Sequence, residues 1–365
     1  MVEDSSSLEV TQEQVETDSV KCPCCGANMS YNPNLNKLSC AHCGAEKDVE
    51  SVAVLEQDLR SALFNGNMWE EDKVSLFACE NCGAKVVLEQ SETAKNCPFC
   101  GTSHVKKSEE LPGLKPNGLI PFTIDYEKAL EYSKSWAKSR FFAPKKFKKG
   151  LKENNVKGIY APCFTFDSAT FSTYNAKIGK VKSRTVGSGK NRRTVTYVDW
   201  RIVSGTYSYS FDDVLISSGE KVSQQKLDKL SPFDTNNGKK YQEEYLLGFG
   251  AYHYDTDINA CWEMAKSKID VSLKNKILSQ YSYDRVAYFN VATTHSNVTY
   301  KYVMLPIYVG NFNYKSKLYN FYVNGSTGKT FGKYPKSIAK ILSVVLLVGA
   351  CAIGLIYLLA KSGAL

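Results

Sequence analysis

Residues 21–44 read KCPCCGANMSYNPNLNKLSCAHCG, and residues 78–101 read ACENCGAKVVLEQSETAKNCPFCG. Each stretch holds two Cys-x-x-Cys pairs separated by 14 residues, and the second repeats the first at an offset of 57. A glycine follows every pair: Gly26, Gly44, Gly83 and Gly101. Two thiolates on a tight turn can share one tetrahedral metal ion, and the following glycine permits the positive φ such a turn needs. Met29–Tyr31 with Leu38–Ser39, and Lys85–Glu89, suit short hairpin strands between the knuckles. The pattern predicts two tandem four-cysteine zinc ribbons. Cys22, Cys25, Cys40 and Cys43 would hold one structural Zn²⁺, and Cys79, Cys82, Cys97 and Cys100 a second. Four cysteines close each site and leave no open position for a substrate. No export signal precedes the pairs: residues 1–20 carry six acids, no base and no apolar run. Disulfides are therefore disfavoured. No thioredoxin-like βαβ pattern surrounds the pairs, which argues against redox catalysis.

The remaining cysteines read as bystanders. Cys24 lies inside the first knuckle and His42 inside the second, each an alternative ligand only in a minority reading. Cys163 and Cys261 read as buried thiols, and Cys351 lies in an apolar run.

That run, Ile341–Ala360, is ILSVVLLVGACAIGLIYLLA, twenty residues without a charge. At about 1.5 Å per residue it predicts a helix of about 30 Å, the thickness of a bilayer core. Lys340 and Lys361 frame it, and Lys329, Lys333 and Lys336 precede it. The expectation is a single-pass, tail-anchored cell-membrane protein with its N-terminal bulk in the cytoplasm and the lipid bilayer as a partner. Ala350 and Gly354 would offer a small-residue packing face.

Between these ends the composition is that of a folded protein. Of 365 residues, 43% are hydrophobic and 23% charged, which excludes a disordered chain or a small disulfide knot. The expected organisation is multidomain: an acidic disordered tail (1–20), ribbon 1 (21–46), a linker (47–75), ribbon 2 (76–106), an α+β body rich in antiparallel strands (119–335) and a transmembrane helix (338–360). Asp125 should cap a helix ending near Arg140, and a second helix should span Asn259–Ser279. Strands are expected at Gly158–Ile178 and Val195–Ser210, joined by a basic loop, Lys180–Arg193. Further strands are expected at Val286–Thr294, Lys301–Tyr314, Leu318–Val323 and Lys329–Phe331.

The formal charge is +9. Eight thiolates and two Zn²⁺ reduce it to +5, so whole-chain charge says little about partners. Its distribution says more: Lys134–Arg193 holds 16 Lys and Arg against Glu153 and Asp167. A solvated face, anionic headgroups and nucleic acid are the three readings of that stretch. Enzyme signatures fail. No G-x-S-x-G or H-E-x-x-H occurs, and Gly328-Lys329-Thr330 lacks the first P-loop glycine, because position 323 is Val323. No catalytic residue and no small-molecule substrate is expected.

Several stretches carry a resemblance: the CxxCG knuckles, FFAPKKF (141–147), GIYAPCFTFDSAT (158–170), EEYLLGFGAYHY (243–254), LPIYVGNFNYKSKLYNFYVNGSTGKTFGKYPKS (305–337) and the terminal apolar run. Together they resemble the bacterial TFIIB-type zinc-ribbon membrane proteins, often mislabelled primosomal helicase-like. One member of that family accompanies a PspA-type phage-shock system and a flotillin-like SPFH protein in Gram-positive bacteria. Members often carry Trp where this chain has Cys163 or Phe164, and Cys24 is an addition. The resemblance implies a non-enzymatic membrane platform recruiting PspA-like or SPFH-like stress proteins. The alternative is a membrane-tethered nucleic-acid-binding zinc-ribbon protein.

Overall fold

The computed structural model describes residues 20–65, 74–89, 97, 99–100, 102, 105–107, 113–150, 156–315 and 317–361. The acidic segment before Val20, Gly101 and part of the expected linker lie outside the described residues. The elements run β1 (Met29–Asn32), β2 (Lys37–Cys40), β3 (Glu46–Asp48), β4 (Gln57–Asp58), α1 (Leu59–Asn65), β5 (Val74–Cys79), β6 (Lys85–Glu89), β7 (Val105–Lys107) and β8 (Gly118–Leu119). The body continues with α2 (Tyr126–Ser139), α3 (Lys145–Lys149), β9 (Val156–Val186), β10 (Arg193–Ser217), α4 (Gln224–Leu230), β11 (Lys239–Lys240), β12 (Gly250–Tyr252), α5 (Ile258–Leu278), β13 (Arg285–Tyr314), β14 (Lys317–Asn324), β15 (Thr330–Gly332) and α6 (Ile338–Lys361).

Three very long strands dominate. β9 has 31 residues, β10 has 25 and β13 has 30. β9 lies in the middle and pairs antiparallel with both neighbours. At about 3.3 Å per residue, β9 alone would extend about 100 Å. Side chains alternate along it. Tyr174, Ala176 and Ile178 point to one face, where Ile269, Leu273, Ile277 and Leu278 of α5 cover them. Phe171 and Lys177 point to the other, which no element covers among the described residues.

The helices begin where local chemistry places them. Asp125 Oδ1 accepts from the Lys128 amide at 2.8 Å and starts α2. Asp257 does the same for α5 through the Ala260 amide. Trp136 of α2 packs on Phe147, Phe321 and Tyr334 and ties α2 to α3 and β14.

Strand continuity departs from the expectation in two places. The basic segment 180–186 belongs to β9 rather than to a loop, so the turn shrinks to residues 187–192. The two strands expected at 286–294 and 301–314 are one strand, β13. A bulge between Ser296 and Thr299, with Asn297 at φ 50°, absorbs the irregularity without breaking the pairing. A matching bulge in β10 falls between Phe211 and Val214, with Asp213 at φ 48°. Both bulges flank Asp167 on the central strand.

The expected transmembrane helix, and with it the single-pass membrane placement, is corrected. Among the described residues no helix is long and apolar enough to cross a membrane. α6 is helical over Ile338–Lys361, but the side chains of Leu355 and of residues 357–360 lie outside the described residues. Lys340 also does not stand free to reach an interface. Its Nζ donates to the Phe141 and Ala143 carbonyls at 3.0 and 2.8 Å and lies 5.9 Å from the Phe141 ring centre, which holds the start of α6 against the FFAP segment.

Candidate metal centres

The structure brings the eight expected cysteines together as two quartets. In each, the four Sγ atoms lie within 4.8 Å of one another. In the first, Cys22 and Cys43 are 3.4 Å apart and Cys25 and Cys40 are 3.6 Å apart. In the second, Cys79–Cys100 is 3.7 Å and Cys82–Cys97 is 3.6 Å. A tetrahedral Zn²⁺ with bonds of about 2.3 Å sets its sulfurs about 3.8 Å apart. A disulfide would need about 2.05 Å. The quartets therefore have metal-binding geometry compatible with two zinc ions. Cys24 and His42 are both exposed and stand outside the quartets.

The knuckle turns form as the glycine pattern requires. Gly26, Gly44 and Gly83 have φ of 73°, 75° and 70°. Their amides close on the carbonyls of Cys22, Cys40 and Cys79 at 2.9, 2.9 and 2.7 Å. Such turns aim backbone N–H groups at sulfur. Burial works against the Cys22 thiolate, yet the amides of Cys24 and Cys25 and the Cys43 thiol outweigh it and bring Cys22 down to about 6. Burial likewise opposes Cys100, and the Thr102 amide, the Asn81 side chain and Cys79 bring it down to about 7. Cys40 is also lowered, chiefly by the Cys43 and His42 amides, so each quartet offers a readily ionised thiol to an incoming dication, and binding then releases protons from the others.

Neither ribbon stands alone. β1, β2 and β3 form an antiparallel sheet whose apolar side enters the main core of the body. Tyr31 is 4% exposed and packs edge-on against Tyr245 and Phe249. Its amide donates to the Leu247 carbonyl at 3.0 Å, and its hydroxyl donates to Asn36 Oδ1 at 2.7 Å. In the second ribbon, β6 pairs with β12 through Ala251–Val87 and Tyr252–Val86, and β12 pairs with β9. That ribbon therefore extends the body's own sheet. Phe99 packs on Tyr252 at 5.1 Å.

A third cluster had no sequence signal beyond Asp212-Asp213 interrupting a strand. Glu56, Asp167 and Asp212 bring their carboxylates within 4.8 Å. Beside them, Lys301 Nζ lies 2.8 Å from Asp213 Oδ1 and 3.4 Å from Glu56 Oε1. Its side chain is 6% exposed and that of Asp213 is 9% exposed. The Lys301 ammonium supplies the positive charge here, so the cluster reads as an ion-pair node. Asp167 also accepts from the Asp213 amide at 2.7 Å. Burial, then the neighbouring Glu56 carboxylate, push Asp167 up to about 6.

Other reactive groups are placed without access. Ser168 Oγ lies 3.0 Å from His295 Nδ1, but Ser168 is 1% exposed. Cys163 and Cys261 are both fully buried, as expected, and burial pushes the Cys261 thiol up to about 12. An open cleft of about 550 Å³ between ribbon 1 and the start of α2 is lined by Tyr31, Asp125, Tyr126, Phe249 and Tyr308. Asp125 is spent there on capping α2 and on the Asn34 side chain.

No protein-family model matches this chain, and no solved structure matches it. It is similar to the uncharacterized protein YdjG of Bacillus subtilis (strain 168), with 29% identity over 328 residues, covering 88% of this chain and 92% of that protein.

Proposed function

We propose that this protein is a non-enzymatic zinc-ribbon adaptor. Two structural Zn²⁺ ions close its ribbons, and protein partners dock on the uncovered face of its long sheet. The observation that carries the reading is that face. Ile202, Lys177 and Tyr288 stand in one cross-strand row, and Trp200 lies over Gly179 in the next. Phe171, Ile202, Trp200 and Tyr288 are 53%, 64%, 40% and 37% exposed. Large side chains on one uncovered face, away from α5, suit a partner surface better than a substrate pocket. The closed quartets and the burial of Ser168 beneath His295 also favour an adaptor over an enzyme. The resemblance of the knuckles and body motifs suggests PspA-like and SPFH-like proteins as the partners.

The test is a photo-crosslinking amino acid at Ile202 in the full chain, with adducts from the source cells identified by mass spectrometry. A PspA-like or SPFH-like adduct, lost with Trp200→Glu, is expected. A stably produced protein giving no adduct with either class would overturn the reading.

A further inference from the structure

We infer that the free end of the β9–β10 hairpin is a binding surface for duplex DNA, independent of the adaptor face. β13 begins at Arg285, opposite Gly179, and α5 ends at Leu278. Lys180 Nζ donates to Ser282 Oγ and the Val181 amide to the Asp284 carboxylate at 2.8 Å, and past that base β9 and β10 continue without a third strand as a two-stranded ribbon, from Lys180–Asp199 to Val186–Arg193. Seven residue pairs make it about 23 Å long. Residues 180–199 contain six bases, Lys180, Lys182, Arg184, Lys190, Arg192 and Arg193, against one acid, Asp199.

The bases are ordered. Strand alternation sets Lys180, Lys182 and Arg184 on one face, and Val181, Ser183 and Thr185 on the other. The cross-strand partners follow suit: Tyr197 and Val195 share the basic face, while Thr194, Thr196 and Val198 lie opposite. Successive cations on β9 are thus spaced by about 6.6 Å, close to two axial rises of one DNA strand at about 3.4 Å each. Arg184 lies over the Tyr197 ring at 5.6 Å, which holds the guanidinium extended along the ribbon. Among the described residues, Arg184, Arg192 and Arg193 form no ion pair. Lys182 is partly neutralised by Asp199 at 2.5 Å. A two-stranded ribbon fits the B-DNA major groove, whereas the deep, narrow major groove of A-form RNA would exclude it. The apolar side chains of the basic face are Val186, Val195 and Tyr197, with no Leu, Ile, Phe or Trp to enter a lipid layer, so a polyanion with regular charge spacing is the better match.

The test uses the full zinc-loaded chain and a fluorescent 20-base-pair DNA duplex, with anisotropy read across salt concentrations. Wild type should bind, with log affinity falling linearly against log salt. The triple variant Arg184→Ala, Arg192→Ala, Arg193→Ala should bind more weakly, with a slope shallower by about 2.7, since each phosphate contact contributes about 0.9. Asp199→Ala frees Lys182 and should bind more tightly than wild type. Circular dichroism and zinc content check that both variants remain folded. An RNA duplex should compete poorly. Absence of wild-type binding at low salt, an unchanged slope in the triple variant, or preference for anionic vesicles or duplex RNA would each overturn the proposal.

Discussion

Replacing Lys301 by Met removes the cation from the carboxylate node and tests how the long sheet is held at its two bulges. At 2.8 Å from Asp213, the direct attraction is about 6 kcal/mol at an effective dielectric of about 20. Desolvation of the two buried groups offsets much of this. Glu56, 3.4 Å away but 42% exposed, adds little through screening water. Removing only Lys301 leaves Asp213 buried without a counter-charge, and the expected loss is about 3–5 kcal/mol. Urea unfolding of the full chain at pH 7, followed by circular dichroism, measures it as a lower midpoint at constant slope. The double variant Lys301→Met, Asp213→Asn removes both charges and should recover most of the loss. A single variant within about 1 kcal/mol of wild type, or a double variant no better than the single, would refute the reasoning.

Metal analysis of the full chain should give two zinc equivalents, and Cys24→Ser should keep both. Cys40→Ala should lose one and also lower the thermal midpoint of the body, because Cys40, Tyr31 and Leu38 share its core. Asp167 is raised from its ordinary 3.8 to about 6, so the folded state holds a proton there that the unfolded chain releases first. Its contribution therefore falls as pH rises through that window, and Asp167→Asn, measured by urea unfolding, should gain relative to wild type between pH 4 and pH 7. Gly310→Ala should cost about 1–3 kcal/mol by the same assay, because a Cβ there would overlap the Phe321 ring inside a closed core.

What the sequence made legible was local. The cysteine spacing sets each quartet because a knuckle closes within five residues, and Asp125 starts α2 through an amide three residues away. The 180–186 segment reads as loop because both of its faces are solvated, so no apolar alternation marks it as strand. Ser296-Asn297 reads as a break in β13, yet two neighbouring strands over-determine the pairing and a single bulge takes up the slack. The Lys301 node joins residues from positions 56, 167, 213 and 301, and no local pattern encodes such a meeting. The docking of ribbon 1 is equally remote, since the amide of Tyr31 finds its acceptor at Leu247.

That remoteness has a consequence during synthesis. Ribbon 1 leaves the ribosome early, and Tyr245, Leu247 and Phe249 follow more than two hundred residues later. At about 5–20 residues per second the interval is about 10–40 s. Throughout it Tyr31, Met29 and Leu38 have no body to pack against. The hairpin must keep its shape on what it carries itself: its strand pairing and the four thiols that converge beneath it. A cysteine quartet sealed by metal is suited to that wait, because its closure draws only on residues already made. The ribbon would then arrive at the later sheet as a finished piece, leaving Tyr245 and Phe249 to close over a surface already in place.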